Sequence, residues 1–440
     1  MSSVLIRGGT VLTMNDALDV VVGDVSIRDG KIAAVGAGAD RVHDTIIDAA
    51  GAIVLPGFIQ THVHFCQTLF RGFADDRRLI DWLRQRVWPM EAAHTPGSLR
   101  ASARLSAYEL LTTGTTTALT METVHDTDVV FEAVAESGLR ATIGKCMMDA
   151  DSQVPARLIE ETRASIDESA SLHRAWHGQA GGRIRAAFAP RFALSCSRAL
   201  LEAVASLSAE ANAIVHTHAS EQQAEIALVE SLTGRRNIQY FEDLGLTSSR
   251  LCLAHCVWVD EHERRLLADR AVKVLHCPGS NLKLGSGIAP VPELRALGIS
   301  VSLGADGAAC NNRLDMFEEM RLAAIIQSAR LGPGALTAKD VVWMATREGA
   351  RALGLDAEIG SLEPGKRADV IVVDIGRPHA VPGSDPYSTL AYASRGTDVK
   401  ATIVDGEVLV RDFQAVRFDP AEIADTARRE ACQLAVRAGI

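Results

Sequence analysis

The chain has 440 residues, 47% of them hydrophobic and 23% charged, and its 45 Lys and Arg against 55 Asp and Glu leave a formal charge of −10. This is the composition of a soluble globular protein with a large core, not of a disordered or fibrous chain. The acidic excess, spread along the sequence, excludes general nucleic-acid binding and adhesion to anionic membranes, both of which need a basic footprint.

In chain order, the first 50 residues read as short strands and turns: VLIRGGTVLTM, DVSIRDGKIAAVG and TIIDAAGAIVLPG alternate apolar and polar residues between glycines. The middle of the chain, 56–365, has another rhythm, in which a short β-branched apolar run is followed by an Ala-, Leu-, Glu- and Arg-rich helical stretch. Eight such runs are readable, at 57–65, 114–121, 140–148, 183–192, 213–221, 251–259, 272–280 and 301–307. Eight strand–helix units predict an α/β fold, a parallel (β/α)8 TIM barrel. A doubly wound sheet is the competing architecture, but no GxGxxG opens a helix after a first strand. Strand patterns return at ADVIVVDIG and KATIVDGEVLVRD, and a helical tail follows from PAEIADTARREA. Segments 1–55 and 366–440 are therefore expected to build one small β-sandwich domain from both termini. The 8 Cys are too sparse for a disulfide scaffold and read as reduced thiols of a cytoplasmic protein. There is no leader pattern and no run of ~18 apolar residues, so no membrane span is expected.

The positions of the 13 histidines carry more than their number. His62 and His64 end the first run, His218 and Glu221 the fifth, and Asp306 the eighth; His255 lies in the sixth and His276 in the seventh. The C-terminal ends of all eight barrel strands converge on one face, so these residues become neighbours. His62 and His64, two apart on a strand, share a face and can grip one ion. His218 adds a third nitrogen and Asp306 a hard oxygen, a set that suits one zinc ion, with iron(II) also possible. Any one of these residues alone would suit a hydrogen-bonded core position; the set at strand ends indicates a metal site. Glu221 is placed to move a proton from water, and His255 to hold that water or a developing oxyanion. His216 reads as packing or as support behind the metal, and His276 as support or core. Cys252 and Cys256 read as core. His43, His94, His173, His177, His262 and His379 lie in loops or helical stretches and are expected at the surface.

PGFIQTHVHF, HTHASE, LAHCVWVD, LHCPGSNLKLGSG and LGADG resemble the signature blocks of the amidohydrolase superfamily, and more narrowly its purine-deaminase and s-triazine-hydrolase branch. GSLEPGKRADVIVVD resembles the return of such chains into their small β domain, and the likeness runs from about residue 3 to about residue 412. The resemblance implies a mononuclear metal held by His62, His64, His218 and Asp306, with Glu221 and His255 as proton-transfer and water-orienting groups. No lysine ends the fourth strand, where the sequence reads APRF, so a carbamylated bridge between two metals is not expected. The implied reaction is hydrolytic substitution on an aromatic N-heterocycle, with water as co-substrate.

Different stretches resemble different relatives. LFRGFADDRRLIDWLRQRVWPMEA is similar to deaminases of 5′-modified adenosines such as 5′-deoxyadenosine, methylthioadenosine and S-adenosylhomocysteine; there Glu91 corresponds to a binder of ribose hydroxyls. TVHDTDVVFEAVAESGLRATIGKCMMD and APRFALSCS are more similar to guanine deaminase, in which Gln67 and Arg191 correspond to purine-binding residues. A guanidinium only donates, so Arg191 favours a ring carbonyl or bare nitrogen, or else it forms a salt bridge at the barrel mouth. Trp88 and Trp82 are candidates to cover a planar ring, or to pack a helix on the barrel. SNLKLGSG reads as a loop over the pocket or a structural turn. The leading expectation is deamination of a 5′-modified adenosine; a free oxopurine or pterin, guanine first, comes second and s-triazine hydrolysis third. A non-catalytic scaffold would require loss of the six catalytic and metal positions, all of which are intact. The resemblance also implies a homo-oligomer.

Overall fold

The computed structural model describes residues 3–36, 43–150 and 153–440. Their strands form two nine-stranded sheets. The N-terminal segment supplies β1 (Ser3–Leu12), β2 (Val20–Arg28), β3 (Lys31–Gly36), β4 (Thr45–Asp48) and β5 (Ala52–Pro56). The middle supplies β6 (Phe58–His64), β7 (Thr115–Met121), β8 (Arg140–Met147), β9 (Ile184–Pro190), β10 (Val215–Ala219), β11 (Leu251–His255), β12 (Lys273–His276), β13 (Val301–Leu303) and β14 (Asp306–Gly307). The C-terminal segment adds β15 (Val370–Asp374), β16 (Val399–Val404), β17 (Glu407–Arg411) and β18 (Gln414–Ala415).

The first sheet is mixed and unites the two ends of the chain: β5 pairs antiparallel with β15, Val54 opposite Val372. Period-two alternation gathers Val4 and Ile6, Val25 and Ile27, Val370 and Val372, and Ala401 and Ile403 into one buried cluster. A buried bidentate pair bolts this sheet to the second, with Arg140 at the start of β8 donating to both oxygens of Asp369 at 2.8 and 2.9 Å. The closing helix Pro420–Ala438 packs back on the helix Pro96–Thr112, where Arg104 meets Glu422 at 2.9 Å.

The second sheet is parallel and curled, in the order β13-β12-β11-β10-β9-β8-β7-β6-β14. Its strands are buried on both faces, which explains why they read as apolar runs rather than alternations. The eight runs of the sequence are its strands, the eighth broken into β13 and β14. That break closes the barrel: β13 pairs with β12, while β14 crosses to β6 with Asp306 opposite Val63. The crossing requires Gly304, because a Cβ there would stand 2.6 Å from the His62 carbonyl oxygen. All 8 cysteines are free thiols, and 7 of them are buried. No helix among the described residues is long and apolar enough to cross a membrane.

Candidate active site

The barrel strands end on one face and bring His62 and His64 of β6, His218 of β10, His255 of β11 and Asp306 of β14 together. Asp306 Oδ1 lies 3.2 Å from both His62 Nε2 and His64 Nε2, and His218 Nε2 lies 3.4 Å from His64 Nε2. The other ring nitrogens are all engaged. His64 Nδ1 donates to the Met121 carbonyl at 2.8 Å, and His218 Nδ1 to the Arg191 carbonyl at 2.7 Å. His62 Nδ1 lies 2.7 Å from His216 Nε2. Protons fixed on His64 and His218 Nδ1 leave their Nε2 lone pairs facing each other.

Such a set fits a metal cation. Ligands at ~2.0–2.1 Å around tetrahedral zinc stand ~3.3–3.4 Å apart, close to the spacings here. His62 Nε2 is buried and lacks a hydrogen-bond partner, a costly state for a bare nitrogen and the normal one for a ligand atom. His62, His64 and His218 form one potential metal-holding group, and His62, His255 and Asp306 another. Burial lowers His62 to a pKa of about 4 despite the opposing Asp306 carboxylate, so its ring is neutral at pH 7. Burial would raise the Asp306 carboxyl, but the His62 and His64 rings outweigh it and hold the group well below the usual range.

Around this cluster stand the proton-handling groups. His255 Nε2 is 3.6 Å from Glu221 Oε2 and 3.9 Å from Asp306 Oδ2, while its Nδ1 donates to Asn281 Oδ1 at 2.8 Å. Burial disfavours its charged form, but the Glu221 and Asp306 carboxylates and the Asn281 bond prevail and raise its pKa. Burial also raises Glu221, the direction a proton carrier needs. Ser286 donates to Glu221 Oε1 at 2.9 Å, and Ser280 to Asp306 Oδ2 at 2.7 Å. His255 and Asp306 both adopt positive φ, 74° and 63°, a strain typical of functional positions.

The cluster opens into a cavity with about 450 Å³ of space between atoms, open solvent included. Gln67 and Arg191 line it, together with Leu79, Trp82, Leu83, Phe192 and Leu284. Glu91 does not; it is buried behind Gln67, accepting from Gln67 Nε2 at 2.9 Å and from both Arg191 amino groups, at 2.5 and 3.2 Å. Arg191 thus forms the salt bridge weighed from the sequence, and Gln67 Oε1 is left without a partner. Trp88 is corrected: it is 1% exposed and does not line the cavity, belonging to the buried cluster that includes Phe70 and Met90. A π-helical turn, Leu83–Val87, separates the two tryptophans, and only Trp82 lines the cavity. His94 is a second correction, being 3% exposed and held between Ser98 Oγ and the Cys66 carbonyl.

Sequence reasoning did not single out Glu122, Glu225 or the serines and asparagine of the 280–287 stretch. Glu225 Oε2 accepts from the Glu221 amide at 2.8 Å and lines the cavity. Ser280, Asn281 and Ser286 sit in the segment read as loop or turn, so a signal was present there without an assignment of partners.

Residues 53–409 match the sequence profile of the amidohydrolase family. The chain is 39% identical over 440 residues to 5′-deoxyadenosine deaminase of Methanosarcina acetivorans, covering 100% of both chains. It is 40% identical over 442 residues to 5-methylthioadenosine/S-adenosylhomocysteine deaminase of Halobacterium salinarum, covering 99% of this chain and 98% of that one. The crystal structure of an adenosine deaminase from Xanthomonas campestris with bound zinc superposes with a TM-score of 0.91 at 32% identity, covering 98% of each chain. The chain belongs to the amidohydrolase family.

Proposed function

We propose that this protein is a metal-dependent hydrolytic deaminase of a 5′-modified adenosine, giving the inosine-type product and ammonia. His62, His64, His218 and Asp306 hold one divalent metal, zinc first and iron(II) second, as the mixed nitrogen and oxygen set favours. The observation that carries the reading is the clustering of three Nε2 atoms and a carboxylate: His62 and His64 Nε2 each lie 3.2 Å from Asp306 Oδ1, and His218 Nε2 lies 3.4 Å from His64 Nε2, beside Glu221 and His255. Full-length relatives named for 5′-deoxyadenosine and for 5-methylthioadenosine/S-adenosylhomocysteine deamination support the substrate class, which spans 5′-deoxyadenosine, methylthioadenosine and S-adenosylhomocysteine.

A bound divalent metal supplies Lewis-acid activation of water. Asp306 and His255 orient that water toward the ring carbon bearing the amino group. Glu221 accepts a proton from it, delivers it to the adjacent ring nitrogen, and then assists the departure of ammonia. The reacting carbon must sit at the metal, so the rest of the nucleoside lies against Leu79, Trp82, Leu83, Phe192 and Leu284. Arg191 is the lining's one Lys or Arg side chain among the described residues, and Glu91 already engages it.

A second reading, a free oxopurine such as guanine, is favoured by the unpartnered Gln67 Oε1. This acceptor would receive a ring N–H that adenine lacks in its six-membered ring. Ammonia release from 5′-deoxyadenosine, methylthioadenosine, S-adenosylhomocysteine, guanine, a pterin and an aminotriazine tests the choice. Turnover of guanine without turnover of 5′-deoxyadenosine would overturn the leading reading.

A further inference from the structure

Glu122 stands one residue beyond β7 and is 1% exposed. Its carboxylate faces the peptide that follows the His62–His64 pair. Oε1 accepts from the Phe65 amide at 3.3 Å and Oε2 from the Cys66 amide at 2.9 Å. The Thr120 hydroxyl donates to Oε1. The opposite side of the same peptide is gripped as well: Ser102 Oγ donates to the Phe65 carbonyl at 2.6 Å, and His94 Nε2 to the Cys66 carbonyl at 2.9 Å. Side chains therefore satisfy the backbone groups of residues 65 and 66, because the β6–β7 ladder runs out at Val63 and Thr120.

The position of this grip gives it a consequence. His64 immediately precedes it, and the 3-10 turn Phe65–Phe70 that begins there carries Gln67 to the cavity. The same stretch of chain holds His64 directly, through the Met121 carbonyl at 2.8 Å. Two neighbouring N–H donors need two acceptors, and among side chains a carboxylate offers two acceptor oxygens where an amide offers one. We propose that Glu122 is a positioning residue that sets His64 for the metal and Gln67 for the substrate by holding the turn between them. The proposal rests on the reading of His64 as a metal ligand.

The test is zinc affinity, measured by competition with a chromophoric chelator on the full-length apo protein, beside thermal unfolding. Glu122→Gln is expected to weaken zinc binding ~10-fold or more, the usual loss when a group supporting a ligand is removed. Its KM should rise while kcat falls. Glu263→Gln is the control: this buried carboxylate accepts from the Asp260 amide at 3.1 Å in the capping box of the helix Glu261–Asp269, outside the cavity lining, so its loss should lower the melting temperature and leave zinc affinity within about two-fold. Glu122→Gln with wild-type zinc affinity, whatever its melting temperature, overturns the proposal. If Glu122→Gln does not fold, Thr120→Val removes one support of the same carboxylate; several-fold weaker zinc binding supports the proposal and wild-type affinity overturns it. A wild-type protein that binds no zinc overturns the metal-site reading itself, and the wild-type arm tells the two failures apart.

Discussion

Removing the guanidinium from the Arg191–Glu91 pair is the sharpest perturbation of the cavity wall. Arg191 is 4% exposed and Glu91 2%, so water replaces neither partner. Arg191→Met deletes two charge-assisted hydrogen bonds, at 2.5 and 3.2 Å, and leaves Glu91 with the single Gln67 amide at 2.9 Å. Each such bond contributes ~1.5–3 kcal/mol, and breaking a buried pair from one side costs ~3–5 kcal/mol because a charge is stranded. Arg191→Met should therefore lose about 3–5 kcal/mol in urea unfolding of the zinc-saturated protein. Glu91→Leu/Arg191→Met removes both charges together and should recover most of that loss. The double-mutant cycle then shows a coupling of ~2 kcal/mol or more. Additive losses, or a single-variant loss below ~1 kcal/mol, would refute the claim that these two side chains hold each other.

Three further outcomes are expected. Glu221→Gln should bind zinc like wild type yet turn over ~10²–10⁴-fold more slowly; a near-normal rate removes Glu221 from proton transfer. Burial depresses His94 to a pKa of about 4, below its unfolded value of 6.5, so the unfolded chain takes up a proton first as pH falls. Stability should thus be full above pH 6.5 and decline toward pH 4, by up to ~1.4 kcal/mol per unit from this group. His94→Gln should flatten that slope in pH-dependent urea melts, and an unchanged slope assigns it elsewhere. Lastly, adenosine 5′-monophosphate should react with a kcat/KM on the order of 100-fold below that of 5′-deoxyadenosine, because Arg191, the wall's one Lys or Arg among the described residues, is already engaged by Glu91. Comparable values would show that a cation reaches the 5′ position.

The barrel and the metal cluster were legible in the sequence because both depend on short-range pattern. A strand buried on both faces reads as an apolar run, and a parallel barrel repeats that run eight times with a polar residue at its end. His62, His64, His218, His255 and Asp306 are strand-end residues, so counting strands was enough to bring them together. The joining of both termini in one sheet was legible for the same reason, from alternating segments at 1–55 and after 366.

What the pattern does not contain is which side chain each polar residue meets across the fold. Glu91 and Arg191 both read as substrate contacts, Arg191 alternatively as half of a salt bridge; 100 positions apart, they bond to each other while Arg191 still lines the cavity. Trp82 and Trp88 are indistinguishable as letters and share one buried cluster, yet only Trp82 lines the cavity. His94 sits in a loop sequence yet is enclosed by Ser98 and the Cys66 carbonyl. Glu122 looks like any strand-end acid until two backbone amides are found waiting for its oxygens. The sequence by itself determined the architecture, the family and the chemistry available at the strand ends, since periodicity and residue type are local properties. Only the tertiary structure decided which polar groups remain open to a substrate, because a hydrogen bond or ion pair between distant residues exists only once packing has set their distance.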